Sequence, residues 1–284
     1  PGALRIEDGF IRSRGLGAAL VPPLSLVADD LGIYYDPGRE SRFEQLMTAP
    51  PPPGGRDRAL ALAALLVGSG ITKYNLAGAV PTLPPGRRIL IPGQVEDDAS
   101  IRLGAGVECT NLALLERVRA ENPGAVLIYK PHPDVEAGLR PGLIAESDLR
   151  RLADVTARNT GADALMAQVD EVWTMTSTLG FEALLRGLPV TTLGAPFYAG
   201  WGLTRDLGPV PARRQVRADL ATLAHAALIA YPRYFDPVSR LPCPPETAVA
   251  RLLDPAFAGK AGPTIRLLAK AQGALSSYAW LWRR

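Results

Sequence analysis

The chain has 284 residues with 31 Lys+Arg, 28 Asp+Glu, 28 Gly, 27 Pro and 2 Cys, and 47% of it is hydrophobic. That composition describes a folded globular protein long enough for one large or two modest domains, and it excludes extended disorder. Cys109 and Cys243 stand far apart with no paired spacing, so neither a disulfide framework nor a cysteine zinc site is supported, and a reducing compartment fits best. No run reaches the ~20 apolar residues of a membrane span, and no basic-then-apolar signal opens the chain. Beyond Asp254 there is no acid, while Lys260, Arg266, Lys270, Arg283 and Arg284 follow. These five cations exceed the net charge of +3 and leave −2 on the first 254 residues, which argues against a nucleic-acid groove.

In chain order, the first polar cluster is Glu7-Asp8-Gly9, two acids at a turn after a short apolar segment. They read as a general acid/base pair or as turn formers. Pro/Gly stretches at 49–55, 81–86 and 242–245 read as linkers or loops, and the Ala/Leu-rich stretch 56–67 as a helix. From residue 88 onward short apolar runs at 89–91, 125–129, 172–175 and 190–193 alternate with helical stretches at 111–120 and 178–186. The alternation predicts a parallel sheet covered by helices on both faces. Gly187 and Pro189 mark a helix stop.

Ligands gather at the carboxyl ends of parallel strands. Three polar clusters fall there: Pro92 to Ser100, with Gln94 and the acids Glu96, Asp97 and Asp98; Lys130-Pro131-His132-Pro133; and Thr176-Ser177-Thr178, with Glu182 one turn later. The acidic run suits a nucleophile, a base, a metal site or simply a solvated helix start. His132 is placed to donate to a phosphate, to protonate a leaving group, or to cap the next helix. The hydroxyls at the start of a helix make an anion site or ordinary caps, and Glu182 lies on the face where a ribose would follow the phosphate.

These clusters occur in one order within IEDGFIRSRGLG (6–17), PPLSLVADDLGIYYD (22–36), TKYN (72–75), PGQVEDDASIRLG (92–104), IYKPHPDV (128–135) and MTSTLGFEALLRGLPVTTLGAPFYAGWGLTRD (175–206). In this the chain resembles the bacterial capsular polysaccharide β-Kdo transferases, and the forms PGQVEDDAS and PFYAGWGLT resemble the C-terminal, 2,7-linking module of those enzymes. The resemblance implies an α/β, GT-B-like fold of two Rossmann-like lobes, the N-terminal one shortened. It divides the chain into an acceptor-side lobe (1–86), a nucleotide-sugar lobe (87–240) and a helical, basic tail (241–284). It implies retaining transfer of Kdo from CMP-β-Kdo to a Kdo-terminated, lipid-linked acceptor through a covalent adduct. Asp98 is then the nucleophile, with Asp97 its competitor, and Glu7 and Asp8 face the acceptor or leaving group. His132 with Lys130 and Pro133, together with Gln94, Ser177, Thr178 and Glu182, would hold CMP. Arg12, Lys73 and Asn75 would bind sugar acids.

No cofactor and no metal are expected. The predicted partners are the donor, the glycolipid acceptor, other capsule-assembly proteins and an anionic inner-membrane surface, but no nucleic acid, and the predicted location is the cytoplasm or the inner face of that membrane. Membrane contact is ascribed to the acid-free tail from Thr264, with Ile265, Leu268, Leu275, Trp280 and Trp282 among its basic residues. The start at Pro1, six residues before the Glu7-Asp8-Gly9 motif, is read as that of a fragment with a truncated acceptor lobe. The competing readings are a GT-B-like nucleotide-sugar epimerase and a non-catalytic CMP- or glycan-binding module.

Overall fold

The computed structural model describes residues 3–15, 21–76, 78–214 and 216–255. Strands β1 (Arg5–Asp8) and β2 (Ser25–Asp29) pair antiparallel with Ile6 opposite Ala28, and helices α1 (Arg42–Thr48) and α2 (Gly55–Gly68) follow. Next come β3 (Arg88–Pro92), α3 (Ala99–Gly104), α4 (Asn111–Glu121), β4 (Val126–Lys130), α5 (Pro133–Glu136), α6 (Glu146–Leu152) and β5 (Val155–Thr156). The α/β alternation continues through α7 (Ala162–Met166), β6 (Glu171–Thr174), α8 (Thr178–Leu185), β7 (Val190–Thr192) and β8 (Arg205–Asp206). Helix α9 (Leu220–His225) runs into a π-helical turn over Ala226–Ala230, and β9 (Arg233–Asp236), β10 (Leu241–Cys243) and α10 (Pro245–Leu253) complete the described chain.

Strands β3 to β8 form one parallel sheet in the order β5-β4-β3-β6-β7-β8. Its central strands are apolar runs because helices cover both faces: Leu90, Ile128 and Val172 belong to one buried cluster, and Ile89, Ile91, Leu127 and Trp173 to the other. Each predicted run lies within a residue or two of an observed element, the ordinary scatter of element ends. Helix α8 starts on the Ser177 hydroxyl, which accepts the Leu179 amide at 3.2 Å, and ends where Gly187 takes φ of 73°.

The α/β class and its parallel sheet are as the sequence predicts. The smaller lobe differs in kind from a shortened Rossmann unit: its sheet is antiparallel, in the order β1-β2-β9-β10. It draws two strands from each side of the parallel lobe, so the hairpin β9–β10 spans residue 240 and closes onto the N-terminal strands. The tail from 256 to 284, and with it the predicted membrane segment, lies outside the described residues.

Both lobes share a core. Phe10 of the smaller lobe stacks on Phe197 with centroids 4.5 Å apart and on Phe181 of α8 at 5.7 Å, while Phe43 of α1 meets Phe197 at 5.1 Å. A buried ion pair fixes the same junction. Glu44 of α1 accepts Arg214 Nε at 2.8 Å and Arg213 Nε at 2.7 Å, and Arg214 Nη1 donates to the carbonyls of Pro196 and Ala199 at 2.6 and 3.1 Å. Removing one partner of such a pair strands a buried charge. Glu44→Ala should therefore lose about 3–5 kcal/mol of unfolding free energy, read from urea melts; a loss below ~1 kcal/mol, the scale of an exposed pair, would contradict this account.

Candidate functional site

Where β3, β4 and β6 end, their loops face the smaller lobe across a cleft of about 360 Å³. Twelve of the residues singled out in the sequence line it: Glu7, Asp8, Arg12, Lys73, Gln94, Asp98, Lys130, His132, Pro133, Ser177, Thr178 and Glu182. Asn75 does not. It sits in the left-handed region (φ 51°), its Oδ1 accepts the Thr72 amide at 2.9 Å, and its Nδ2 donates to the Ser13 carbonyl at 2.8 Å. Asn75 is thus a turn former that shapes the loop carrying Lys73 and lies outside the lining of the cleft.

Asp98 caps α3. Its Oδ1 accepts the Ser100 amide at 2.9 Å and the Ser100 hydroxyl at 2.7 Å, which orients the carboxylate while its second oxygen stays outside that pair of bonds. Asp97 is exposed, does not line the cleft, and bonds Arg140 Nη2 at 2.6 Å. Between the two acids, geometry selects Asp98 as the group able to meet a ligand.

His132 follows β4 and caps α5, its Nδ1 accepting the Asp134 amide at 3.2 Å. The hydrogen therefore sits on Nε2. Burial, with Lys73 and Lys130 nearby, pushes its pKa down to about 4, so at neutral pH it is an uncharged donor rather than a store of protons. In this geometry His132 caps α5 through Nδ1 and keeps Nε2–H as its donor.

Opposite His132 is the N-terminus of α8. Tyr198 donates to the Ser177 carbonyl at 2.6 Å, and Gly180 is obligatory there because a Cβ would lie 2.1 Å from the Tyr198 hydroxyl. The start of the helix is thereby clamped at the cleft, with the amides of Ser177 and Leu179 taken by the hydroxyls of Thr174 and Ser177. Gln94 braces the floor, its Nε2 donating to Thr176 Oγ1 at 2.9 Å and its Oε1 accepting the Thr176 amide at 3.0 Å. With oxygen and nitrogen both engaged inside the protein, Gln94 joins β3 to β6 and is a brace more than a ligand donor.

Glu182 is buried, and its Oε1 accepts the Lys73 amide at 2.6 Å, tying α8 to the loop of the smaller lobe. Lys73 lies over the Tyr74 ring; burial acts to lower its pKa, but Tyr74, Tyr34, Asp8 and Glu7 more than offset this and hold it above the ordinary lysine value. Arg12 is buried, bonded to Asp8 and to Ser13 Oγ at 2.6 Å, so it orients Asp8 more than it reaches a ligand.

Tyr34, Tyr35, Ser100, Asp134 and Arg140, to none of which the sequence assigns a role of its own, also line the cleft. Arg140 is an exposed cation beside the strand-end acids, and its place eight residues after His132 in a Gly/Pro-rich loop was the available signal. Asp134 carries a buried Oδ1 with no hydrogen-bond partner in the described structure, and burial raises its pKa. No group of three His, Cys, Asp or Glu side chains able to hold a metal occurs among the described residues, and no described helix is long and apolar enough to cross a membrane.

The carboxyl ends of the parallel strands, where ligands gather in α/β folds, face the acids of the second lobe across one cleft. The chain belongs to the capsule polysaccharide biosynthesis protein family, which it matches over residues 3–62 and 80–234. It is 48% identical over 253 residues to the capsule polysaccharide modification protein LipA of Neisseria meningitidis serogroup A, covering 88% of this chain and 36% of LipA. It is 45% identical over 237 residues to the lipopolysaccharide-processing protein LpsZ of Rhizobium meliloti, covering 81% of this chain and 54% of LpsZ. The chain thus spans little more than a third of the one relative and about half of the other. Two solved structures from Thermosulfurimonas dismutans are similar, each at 38% identity over 88% of this chain. The KpsC β-Kdo 2,4 transferase is covered to 79% with a TM-score of 0.82, and the KpsC β-Kdo 2,7 transferase to 77% with a TM-score of 0.73.

Burial raises Glu182 from 4.5 to about 7, opposed by its bond to the Lys73 amide and by Arg186. An acid whose pKa is raised on folding binds more protons folded than unfolded, so stability falls as pH rises through that window and levels off above it. Glu182→Gln, which keeps the acceptor for Lys73, should flatten the decline between about pH 4.5 and 7 in thermal melts; an unchanged slope would place the titrating group elsewhere.

Proposed function

We propose that this chain is a retaining glycosyltransferase module that moves Kdo from CMP-β-Kdo to a Kdo-terminated, lipid-linked acceptor in capsule assembly. The observation that carries the reading is the meeting, in one cleft, of an oriented Asp98, an uncharged His132 donor and the α8 N-terminus with Glu7 and Asp8 from the facing lobe. The similarity to two solved KpsC β-Kdo transferases supports it.

In this mechanism the free oxygen of Asp98 attacks the anomeric carbon of Kdo as the bond to CMP breaks. The charge left on the phosphate is met by His132 Nε2–H, the hydroxyls of Ser177 and Thr178 and the helix dipole. An acceptor hydroxyl then displaces Asp98 from the same face by which CMP left, which retains the β configuration. Glu7 or Asp8 takes the hydroxyl proton, with Arg12 holding Asp8 in place. Lys73 and Arg140 meet the carboxylates of the sugar acids. Lys130 and Glu182 complete the donor side, and no step calls for a metal.

The linkage has two readings. The forms PGQVEDDAS and PFYAGWGLT favour 2,7, whereas the higher TM-score to the 2,4 enzyme favours 2,4. We retain 2,7 as the proposed linkage, and NMR of the product formed on a synthetic Kdo primer decides it. Work on a lipid-linked primer would place the protein at the cytoplasmic face of the inner membrane, with the basic tail as the contact. Deleting residues after 263 should then reduce binding to anionic vesicles, and equal binding by the shortened chain would remove that role.

Asp98→Asn should abolish transfer, by several orders of magnitude in rate, while CMP affinity stays within several-fold of the parent. Near-normal turnover by this variant together with an inactive Asp97→Asn would move the nucleophile one residue back. CMP binding with no transfer by the parent chain would leave a binding module in place of an enzyme.

A further inference from the structure

Among the described residues, Asp134 Oδ1 is the one buried side-chain oxygen or nitrogen without a hydrogen-bond partner. The residue lines the main cleft, and its side chain is 14% exposed. Its second oxygen, Oδ2, stands 3.9 Å from His132 Nδ1, beyond hydrogen-bond distance. That nitrogen has no hydrogen to give, because it already accepts the Asp134 amide at 3.2 Å. Burial pushes the Asp134 pKa up, and the charges of Arg140 and Arg12 pull against it. Neither guanidinium closes on the carboxylate: Arg140 Nη2 is bonded to Asp97 at 2.6 Å, and Arg12 to Asp8 and Ser13 Oγ.

A carboxylate oxygen kept from water with no donor is a cost to the empty protein. The fold returns little for it, since α5 has only four residues and the cap at its start is made by His132. The cost is offset when a donor enters from the cleft, and charge selects the donor. Phosphate and sugar carboxylate are anions and are repelled, whereas an alcohol O–H makes a charge-assisted bond. A sugar acid brings several such hydroxyls, and Asp134 stands two residues from His132, the proposed phosphate contact, in the same cleft.

We infer that Asp134 reads the sugar: its carboxylate accepts a hydroxyl of a Kdo residue bound in the cleft. The transferred sugar and the terminal sugar of the acceptor carry the same chemistry, so either can supply the hydroxyl. An acidic sugar lacking it would leave the carboxylate as unpaired as in the empty protein, which is the strong form of discrimination. Arg140 and Lys73 meet carboxylates common to all sugar acids, and Asp134 adds the contact that tells one from another. The inference rests on the proposed transferase function and adds a specificity-determining residue to it.

The test has two measurements on the intact chain. In thermal melts without ligand, Asp134→Asn and Asp134→Ala should melt at or above the temperature of the parent, because each removes the unpaired charge. A fall of more than about 4 °C in both variants would make the carboxylate a structural group and overturn the inference. In steady-state kinetics, Asp134→Asn should raise KM by about ten- to a hundredfold, the scale of a hydrogen bond to a charged group, either for CMP-Kdo or for the Kdo-terminated acceptor. The substrate affected identifies the sugar held. CMP, as a competitive inhibitor, should keep its Ki within about threefold of the parent. A Ki that rises together with KM would place the carboxylate on the nucleotide, and a KM unchanged for both substrates would leave it with no ligand; either result overturns the inference while the transferase reading stands. A parent that transfers no Kdo overturns that reading and the sugar assigned to Asp134 with it, while the melts still decide whether the carboxylate serves the fold.

Discussion

The position of Phe197 decides the rest of the molecule. Its ring stacks on Phe10, Phe43, Tyr34 and Phe181, so residues from the loop after β2, from α1 and from α8 meet on one side chain buried between the lobes. Edge-to-face and tilted contacts of this kind are worth about 0.5–1.5 kcal/mol each beyond their buried area. They hold the end of β1, with Glu7 and Asp8, against the parallel lobe, and the Glu44–Arg214 pair fastens the loop that carries Phe197 from the other side. The cleft keeps its shape because the seam beneath it is packed like a core.

That rigidity gives the polar groups of the site their character. Glu182, His132 and Lys130 all sit where burial opposes their charged forms, and each is displaced in the direction burial dictates. Such displaced groups cluster at functional sites. Exposed pairs such as Arg42–Asp30 show the contrast: the charges hold one another in water and shape nothing around them.

Most of the parallel lobe was legible in the sequence because β3, β4, β6 and β7 are apolar runs closed by polar or turn residues on one rim, whereas the two-residue strands β5 and β8 carry no such run. His132, Ser177 and Asp98 could be placed for that reason. The antiparallel sheet was not legible. Its strands are short, one face stays open with Ile6, Leu26 and Phe235 exposed, and β2 pairs with β9 across some 200 residues. No local pattern reveals a partner so distant. The family resemblance implied ligand contact for Gln94, Arg12 and Asn75, but only the structure shows how far their hydrogen-bonding capacity is turned inward. Arg140 escaped notice because a lone arginine in a Gly/Pro loop carries no periodicity.

The chain leaves the smaller sheet after β2, builds the whole parallel lobe, and returns to pair β9 on β2. The larger lobe is therefore an insertion within the smaller one, joined to it by two covalent crossings instead of one. Two tethers add backbone continuity at both ends of the packed seam. A proteolytic cut in either crossing would leave the halves associated through their common sheet, so the lobes of this protein cannot be inherited, expressed or lost as separate beads on a string.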